Sequence, residues 1–471
     1  MSRKSNLAKS TLILSIGTFL PKLAGFITLP ILTGYLTKEE YGTYDLITIL
    51  VSLLLPQLTL QIKSAAFRFL LDVRENFEKQ KEIVSNIFAV TLPISIIALF
   101  VLFFFLPGNA IIRFFICFYY LSDILANTIR QISRGIGKTM PYSVSAVISA
   151  VIKMVFAVIL VHSFKMGLLG AVIALGMGAF ISMVYIAVHI RLPKFICLKY
   201  INKKQIKEMI AYSWPVVPNE MSLWVMSVSD RVVITSVLGI TKNAILAAAT
   251  KIPSLINLAQ SALVLAWQEN ASVTANDKDS SKYYSDMFRV MICLQAGVYS
   301  MVVAAAPVLF DLLIKGDYGE AYFQIPFLCL GIFFSGLATF LGGIYVGYKK
   351  TKSIGITSIG AAVINIVVDI ALVYFIGLYA ASISTLVSYI ALFAFRAINV
   401  QKFVEVKFDA KLFVILISIM AAELILCYQQ TLICNIINVI LASFVMLVFN
   451  KQLIKGAVKA VKKILNKKIS T

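Results

Sequence analysis

From residue 10 to residue 449, apolar stretches long enough to cross a membrane follow one another, separated by short polar turns and two longer segments at 191–211 and 268–287. No other feature constrains the fold as strongly. Crossing about 30 Å of hydrocarbon takes about 20 apolar residues in a helix, and only helices and closed barrels satisfy their own backbone polar groups in lipid. The stretches lie at 10–36, 42–67, 83–106, 109–130, 141–162, 167–190, 212–238, 243–267, 288–314, 321–348, 354–376, 378–398, 411–428 and 431–449. The expectation is an all-α, polytopic membrane protein of about 14 transmembrane helices. Composition agrees: the 471 residues are 60% hydrophobic and only 14% charged, against roughly half and a quarter in a soluble domain. The first stretch holds Pro21 and Lys22 and lacks a small-residue cleavage site, so it is expected to remain as a span and not to be removed as a signal peptide.

A net charge of +21 would suggest nucleic acid in a soluble chain. Its distribution gives another reason, because Lys and Arg gather in cytoplasmic loops. Loops on the side of the N-terminus hold, among others, Arg68, Arg74, Lys79 and Lys81, then Arg191, Lys194, Lys199 and Lys203, and later Lys349, Lys350, Lys352 and Arg396. The opposite loops hold Lys38, Lys165, Lys242 and Lys315. The imbalance never changes sides along the chain, which places both termini in the cytoplasm. No nucleic-acid partner is required.

Some charges fall inside the apolar stretches. Each costs roughly 2.5–3.5 kcal/mol on insertion scales and ordinarily faces protein or a water-filled cavity. Arg113 lies at an outer span end, where its stem reaches the interface. Lys22 and Lys153 lie near mid-span, Arg231 and Lys251 toward outer ends, and Lys63 toward an inner end. Two readings fit these five: a cationic cavity for an anionic substrate, or snorkelling and pairing with buried acids. Mid-span depth favours the cavity for Lys22 and Lys153; for Lys63 the two readings balance. The buried acids are Asp123, Glu220, Asp230, Asp369 and Glu423. Either they couple transport to H+ or Na+, or they hold helices together. Asp230, beside Arg231, reads as a structural pair. Asn365 and Asp369 are four apart and share a helix face.

The stretch 212–238 is the most irregular. Pro215 and Pro218 break its hydrogen-bond ladder, and Glu220, Asp230 and Arg231 charge it. Broken helices at membrane depth persist only where the freed backbone is buried in protein or faces water, so this helix is expected to line a polar path. Prolines repeat the arrangement: Pro21, Pro30 and Pro56 mark the first two spans, and Pro215, Pro218 and Pro253 the seventh and eighth. Interrupted segments at matching positions of two halves point to a transporter's site. The expected organisation is a six-helix lobe at 1–200, a second at 201–400, two further helices at 401–450 and a basic tail at 451–471, with a central cavity. Lys451–Lys468 and Lys194–Met209 read as basic amphipathic segments on the cytoplasmic leaflet, or else as solvated linkers.

Several fragments together carry a resemblance. They are Tyr212-Ser213-Trp214-Pro215-Val216-Val217-Pro218 with Trp224, Ser229-Asp230-Arg231 and Leu238-Gly239; Leu29-Pro30 with Tyr41-Gly42-Thr43-Tyr44-Asp45-Leu46; Phe67-Arg68-Phe69; Arg134-Gly135-Ile136-Gly137-Lys138; and Ala266-Trp267-Gln268. In this order they resemble the Wzx-type flippases of polysaccharide repeat units, such as O-antigen and capsule units, within the multidrug/oligosaccharidyl-lipid/polysaccharide exporter superfamily. One departure is Ala244-Ile245-Leu246-Ala247-Ala248-Ala249, where the family commonly shows Gly-Ile/Val-Tyr.

The resemblance implies two six-helix bundles in a V, as in MATE-like transporters, with two added C-terminal helices. It implies movement of an undecaprenyl-diphosphate-linked oligosaccharide across the cytoplasmic membrane by alternating access. A polysaccharide polymerase and glycosyltransferases are the implied protein partners, and membrane lipids the surroundings. The residues placed to meet the diphosphate are Lys22, Lys153, Arg231 and Lys251, with Lys63 as a further candidate; only Arg231 lies in a matching motif. Catalysis has little support in the sequence. His162 and His189 lie near opposite ends of their spans, the six cysteines form no C-x-x-C, and no Walker-type loop is present. Gly176-Met177-Gly178 and Gly342-Gly343 read as helix-packing surfaces. No cofactor is expected beyond a coupling ion. The alternatives are an ion-coupled multidrug antiporter and a peptidoglycan-precursor flippase.

Overall fold

The computed structural model describes residues 3–214, 216–348, 350–451 and 453–455, and leaves some helical side chains, Glu220 among them, outside the described set. Pro215 and most of the expected tail helix therefore lie outside the described residues. Every regular element among the described residues is helical. Ten of these helices are long and apolar enough to cross a membrane. Helices also cover most of the expected spans at 10–36, 42–67, 212–238 and 243–267, each with some side chains outside the described set. The chain divides into two compact units, between Val228 and Ser229, with Leu313–Gly316 counted in the first.

The first unit holds α1 (Arg3–Tyr35), α2 (Lys38–Leu58), α3 (Ile62–Asp72), α4 (Phe77–Phe103), α5 (Ala110–Gly135), α6 (Thr139–Ala157, continued by a π-helical turn at Val158–Ser163), α7 (Gly167–Ile190), α8 (Lys203–Ser213) and the start of α9 (Val216–Leu238). Side-chain caps begin two of the spans: Asn76 accepts from Lys79 N at 3.1 Å and Asn109 from Ile112 N at 2.9 Å. A left-handed Arg191 (φ 60) ends α7. The core gathers Ile62, Ala66 and Leu70 of α3 with Ile87 of α4, Ile132 of α5 and Ile186 of α7.

The second unit holds the rest of α9, then α10 (Ile240–Ala249), α11 (Ser254–Val273), α12 (Ser280–Leu313), α13 (Gly319–Tyr322), α14 (Ile325–Gly347), α15 (Thr351–Ile376), α16 (Tyr379–Val400), α17 (Ala410–Gln429) and α18 (Leu432–Phe444, continued by a π-helical turn at Val445–Phe449). Its internal packing repeats that of the first unit. There α7 packs on α5 and α6, and α3 on α5; here α16 packs on α14 and α15, and α11 on α14. Of the prolines in the expected echo, Pro21 and Pro30 lie inside the unbroken α1, and Pro253 lies between α10 and α11. The glycines expected at packing surfaces sit on close approaches. A Cβ on Gly178 would meet the Lys153 stem and the Ser149 carbonyl, and one on Gly342 would lie 2.9 Å from Arg396 Nη1.

Two expectations change. The Lys194–Met209 segment is docked, not a solvated linker. Ser85 donates to Phe195 O at 3.2 Å and accepts from Cys197 N at 2.9 Å, and Asn86 accepts from Asn202 N at 2.8 Å. Met209 is fully buried, and α8 lies on α3 and α4. Polar side chains of α4 hold this basic segment, a device that charge patterning does not reveal. Arg396, expected in a cytoplasmic loop, is buried instead, because α16 runs on to Val400. Its guanidinium donates to Ala338 O at 2.7 Å, Ser358 Oγ at 3.1 Å and Thr357 Oγ1 at 3.3 Å, tying α16 to α14 and α15.

Candidate functional site

Each unit interrupts its second span. In the first, α2 ends at Leu58 and α3 begins at Ile62. Leu60 (φ 48) and Gln61 (φ 53) take the left-handed conformation that non-glycine residues rarely adopt. Such residues cost roughly 1–3 kcal/mol each and cluster where backbone strain is used. Gln61 is buried, and its Oε1 has no hydrogen-bond partner among the described residues. In the second unit, α10 ends at Ala249 and α11 begins at Ser254, with Lys251 and Pro253 in the gap. Arg231 reaches this gap from α9, donating from Nη2 to Thr250 Oγ1 at 2.8 Å. Lys63 follows the first break and is half-buried, as are Arg231 and Lys251; Lys22 on α1 is exposed. An interruption exposes backbone polar groups inside a span, and a neighbouring cation makes the spot attractive to an anion.

The mid-span Lys153 of α6 lies in the first unit with its ammonium 5.4 Å from the centre of the Tyr119 ring. Asp123 of α5 is within electrostatic range of it and accepts from Asn127 Nδ2 at 2.9 Å.

A carboxylate cluster occupies the second unit. Ser229 donates to Asn365 Oδ1 at 2.8 Å, and Thr385 of α16 donates to Asp230 Oδ2 at 2.6 Å. The Asn365 side chain is also within electrostatic range of Asp230. One helical turn beyond Asn365 lies Asp369, fully buried, with neither carboxyl oxygen bonded among the described residues. The two carboxyls are within electrostatic range of each other. Two carboxyls, an amide oxygen and hydroxyls from α9, α15 and α16 can together receive a proton or a small hard cation. Asp230 and Arg231 are adjacent in sequence, yet their bonds run to different helices.

Glu423 lies apart. It is fully buried on α17, where Ser300 of α12 donates to its Oε2 at 2.8 Å and Asn438 of α18 to its backbone carbonyl at 3.3 Å. Glu220 is on α9, with its side chain outside the described set. His162 packs edge-on against Tyr35 and His189 stacks on Tyr185.

The structure thus joins Lys153 with Asp123, Arg231 with the Lys251 gap, and Asp230 with Asn365 and Asp369. Sequence reasoning missed Thr385 and Gln61.

Residues 7–268 match the family described as polysaccharide biosynthesis protein. No curated protein matches the chain. Among solved structures, the lipid II flippase MurJ in an inward closed conformation has a TM-score of 0.67 at 15% identity, covering 95% of this chain and 100% of that one. An inward-facing multidrug resistance MATE family transporter of the MOP superfamily has a TM-score of 0.69 at 14% identity, covering 84% and 98%. A MOP superfamily transporter from Pyrococcus furiosus, described as having a binding pocket of reverse polarity, has a TM-score of 0.58 at 13% identity, covering 84% and 95%. These likenesses show that the fold is that of the MOP superfamily.

Proposed function

Because the chain belongs to the family of polysaccharide biosynthesis proteins, we propose that it is a flippase for an undecaprenyl-diphosphate-linked oligosaccharide in a bacterial cytoplasmic membrane, with both termini in the cytoplasm. Transport, not bond making, is the work the fold supports. A diphosphate and its sugars cannot enter hydrocarbon unaided, since unpaired polar and charged groups are prohibitive there. Cations beside interrupted helices remove that barrier. The observation that carries the reading is the Arg231 guanidinium on Thr250, at the gap holding Lys251. Lys63 beside the first unit's break, Lys22 and Lys153 extend the cationic set. The cargo places the protein alongside glycosyltransferases that build the repeat unit and a polymerase that joins it.

The coupling ion, Na+ or H+, is assigned to Asp369 and Asp230 with Asn365 and Thr385. Asp123 faces a cation, and Glu423 fastens α17 to α12 and α18, so these two acids are better suited to holding structure.

Two readings compete on specific grounds. The likeness to the lipid II flippase favours a peptidoglycan precursor, and that to the MATE transporter an ion-coupled drug antiporter. Flipping in reconstituted vesicles separates them. Wild type is expected to bring an undecaprenyl-diphosphate oligosaccharide to the far leaflet, and Arg231→Ala to slow this about tenfold or more, the loss of one charge-assisted contact. Transport of lipid II alone, or of a cationic drug alone, overturns the assignment.

A further inference from the structure

A cavity of about 460 Å³ lies within the second unit, between the first turns of α12 and the segment 405–412 that leads into α17. That is the size of a small-ligand pocket. Part of its lining is apolar and buried, namely Phe288, Ile292 and Leu412, and Phe408 meets Phe288 edge-on with ring centres 4.8 Å apart. The charged lining is exposed and balanced in sign: Lys282, Arg289 and Lys407 against Asp286, Glu405 and Asp409.

The walls are fixed without those charges. Ser281 donates to Glu405 O at 2.6 Å, and Ser285 accepts from Lys407 N at 2.9 Å. Gln401 closes the preceding turn, donating to Val406 O at 2.9 Å and accepting from Val406 N at 3.0 Å. Asp409 caps α17 by accepting from Leu412 N at 3.0 Å. The ion pairs of the lining are loose by comparison. Arg289 stands 3.6 Å from Asp409, and Lys407 3.9 Å from Glu405. Exposed pairs of this kind contribute about 0–1 kcal/mol, so they yield readily to a ligand. Lys282 and Asp286 form no ion pair among the described residues. Lys282, Asp286 and Arg289 fall at i, i+4 and i+7, so charge alternates in sign along one face of α12.

Position adds the second half of the argument. α12 has 34 residues, and about 20 suffice to cross hydrocarbon. Its apolar run starts near Phe288, and that of α17 starts at Leu412. The pocket therefore sits where two spans leave the hydrocarbon, with charged side chains at headgroup depth and apolar ones at the top of the acyl chains. A simple anion would call for a surplus of cations, which this lining lacks. A group carrying both signs, with an apolar body attached, matches the whole lining.

We propose that this pocket holds the headgroup of an aminophospholipid of the phosphoethanolamine type. The phosphate lies on Arg289, the primary ammonium donates to Asp286, and the glycerol end covers Phe288 and Leu412. A primary ammonium can donate to a carboxylate in a charge-assisted bond; a trimethylated one has no N–H to give. The proposal depends neither on the cargo nor on which leaflet the pocket faces.

The test uses the full-length protein, stripped of lipid in detergent, with retained lipid counted by native mass spectrometry. Phosphatidylethanolamine, phosphatidylcholine and phosphatidylglycerol are added in turn. Wild type is expected to retain the ethanolamine lipid about threefold more strongly than the choline lipid, the worth of one exposed charge contact. Asp286→Asn is expected to remove that preference, and Arg289→Gln to weaken both lipids. Glu75→Gln, an exposed acid between α3 and α4, serves as the control. A second readout needs no variant: in vesicles, residues 401–409 of wild type are expected to exchange amide hydrogens more slowly with the ethanolamine lipid than with the choline lipid. Equal retention of the two lipids by wild type overturns the proposal, as does an unchanged preference in Asp286→Asn or an equal loss in Glu75→Gln. Stronger retention of phosphatidylglycerol overturns the choice of an amine-bearing headgroup. Displacement of the lipid by equimolar glycerophosphoethanolamine overturns the choice of a lipid over a soluble phosphodiester.

Discussion

Asp369 is buried without a bonded oxygen, whereas Glu423 is buried and bonded. That contrast gives the two acids opposite behaviour on substitution. Asp369→Asn removes an unsatisfied carboxyl, so the variant is expected to unfold no earlier than wild type in sodium-free buffer. A bound ion stabilises wild type by mass action, about 2.7 kcal/mol at a hundred times its dissociation constant. Thermal unfolding with and without Na+ checks this: a sodium-dependent rise in wild type that is absent from Asp369→Asn is the expected result, and an equal rise in both removes Asp369 from the ion site. Ser300→Ala strips Glu423 Oε2 of its donor and is expected to cost about 1–3 kcal/mol with no change in sodium response. Of this cluster the sequence showed the Asn365–Asp369 spacing. It could not show Thr385, since a hydroxyl 155 residues away from Asp230 leaves no local signal.

At the scale of elements, the apolar runs located the helices, and the matching packing of the two units follows their order. The interruptions were only half legible. Pro253 marks the gap between α10 and α11, but nothing in Leu60 or Gln61 announces two left-handed residues after Pro56. That conformation is set by tertiary packing around a buried turn, not by local preference. Its cost is measurable. Glycine adopts positive φ freely, so Leu60→Gly is expected to raise stability by about 1 kcal/mol if the leucine side chain contributes little packing there, read as a shift in the thermal midpoint. A stabilised variant that flips cargo more slowly would show the strain to be used in transport; unchanged flipping would make it a packing consequence. The docked α8 segment makes a parallel case. Asn86→Ala removes the acceptor of Asn202 N and is expected to open residues 196–205 to hydrogen exchange while leaving α4 protected.

The whole molecule must be oriented before any site has a direction of work. Orientation is the property that net charge addresses, because +21 spread almost entirely on one side of the spans is a strong positive-inside signal. It predicts that the turn between α6 and α7 faces outward and the turn before α12 inward. Ser163 and Lys278 are exposed positions in those turns. Ser163→Cys is therefore expected to react with a membrane-impermeant maleimide on intact cells, and Lys278→Cys only after the membrane is opened. The reverse pattern would turn the chain over, put the basic loops outside and leave the +21 unexplained by topology. Reaction of both sites on intact cells would mean an even number of spans between them, where the apolar runs give three. The test bears on mechanism as well as placement. On the proposed function, a carrier loaded on the cytoplasmic leaflet would meet the basic loop surface first, where an anionic diphosphate would be concentrated by local potential before entering the protein. With the opposite orientation that attraction would act on the wrong leaflet, and the same cations would favour uptake over export.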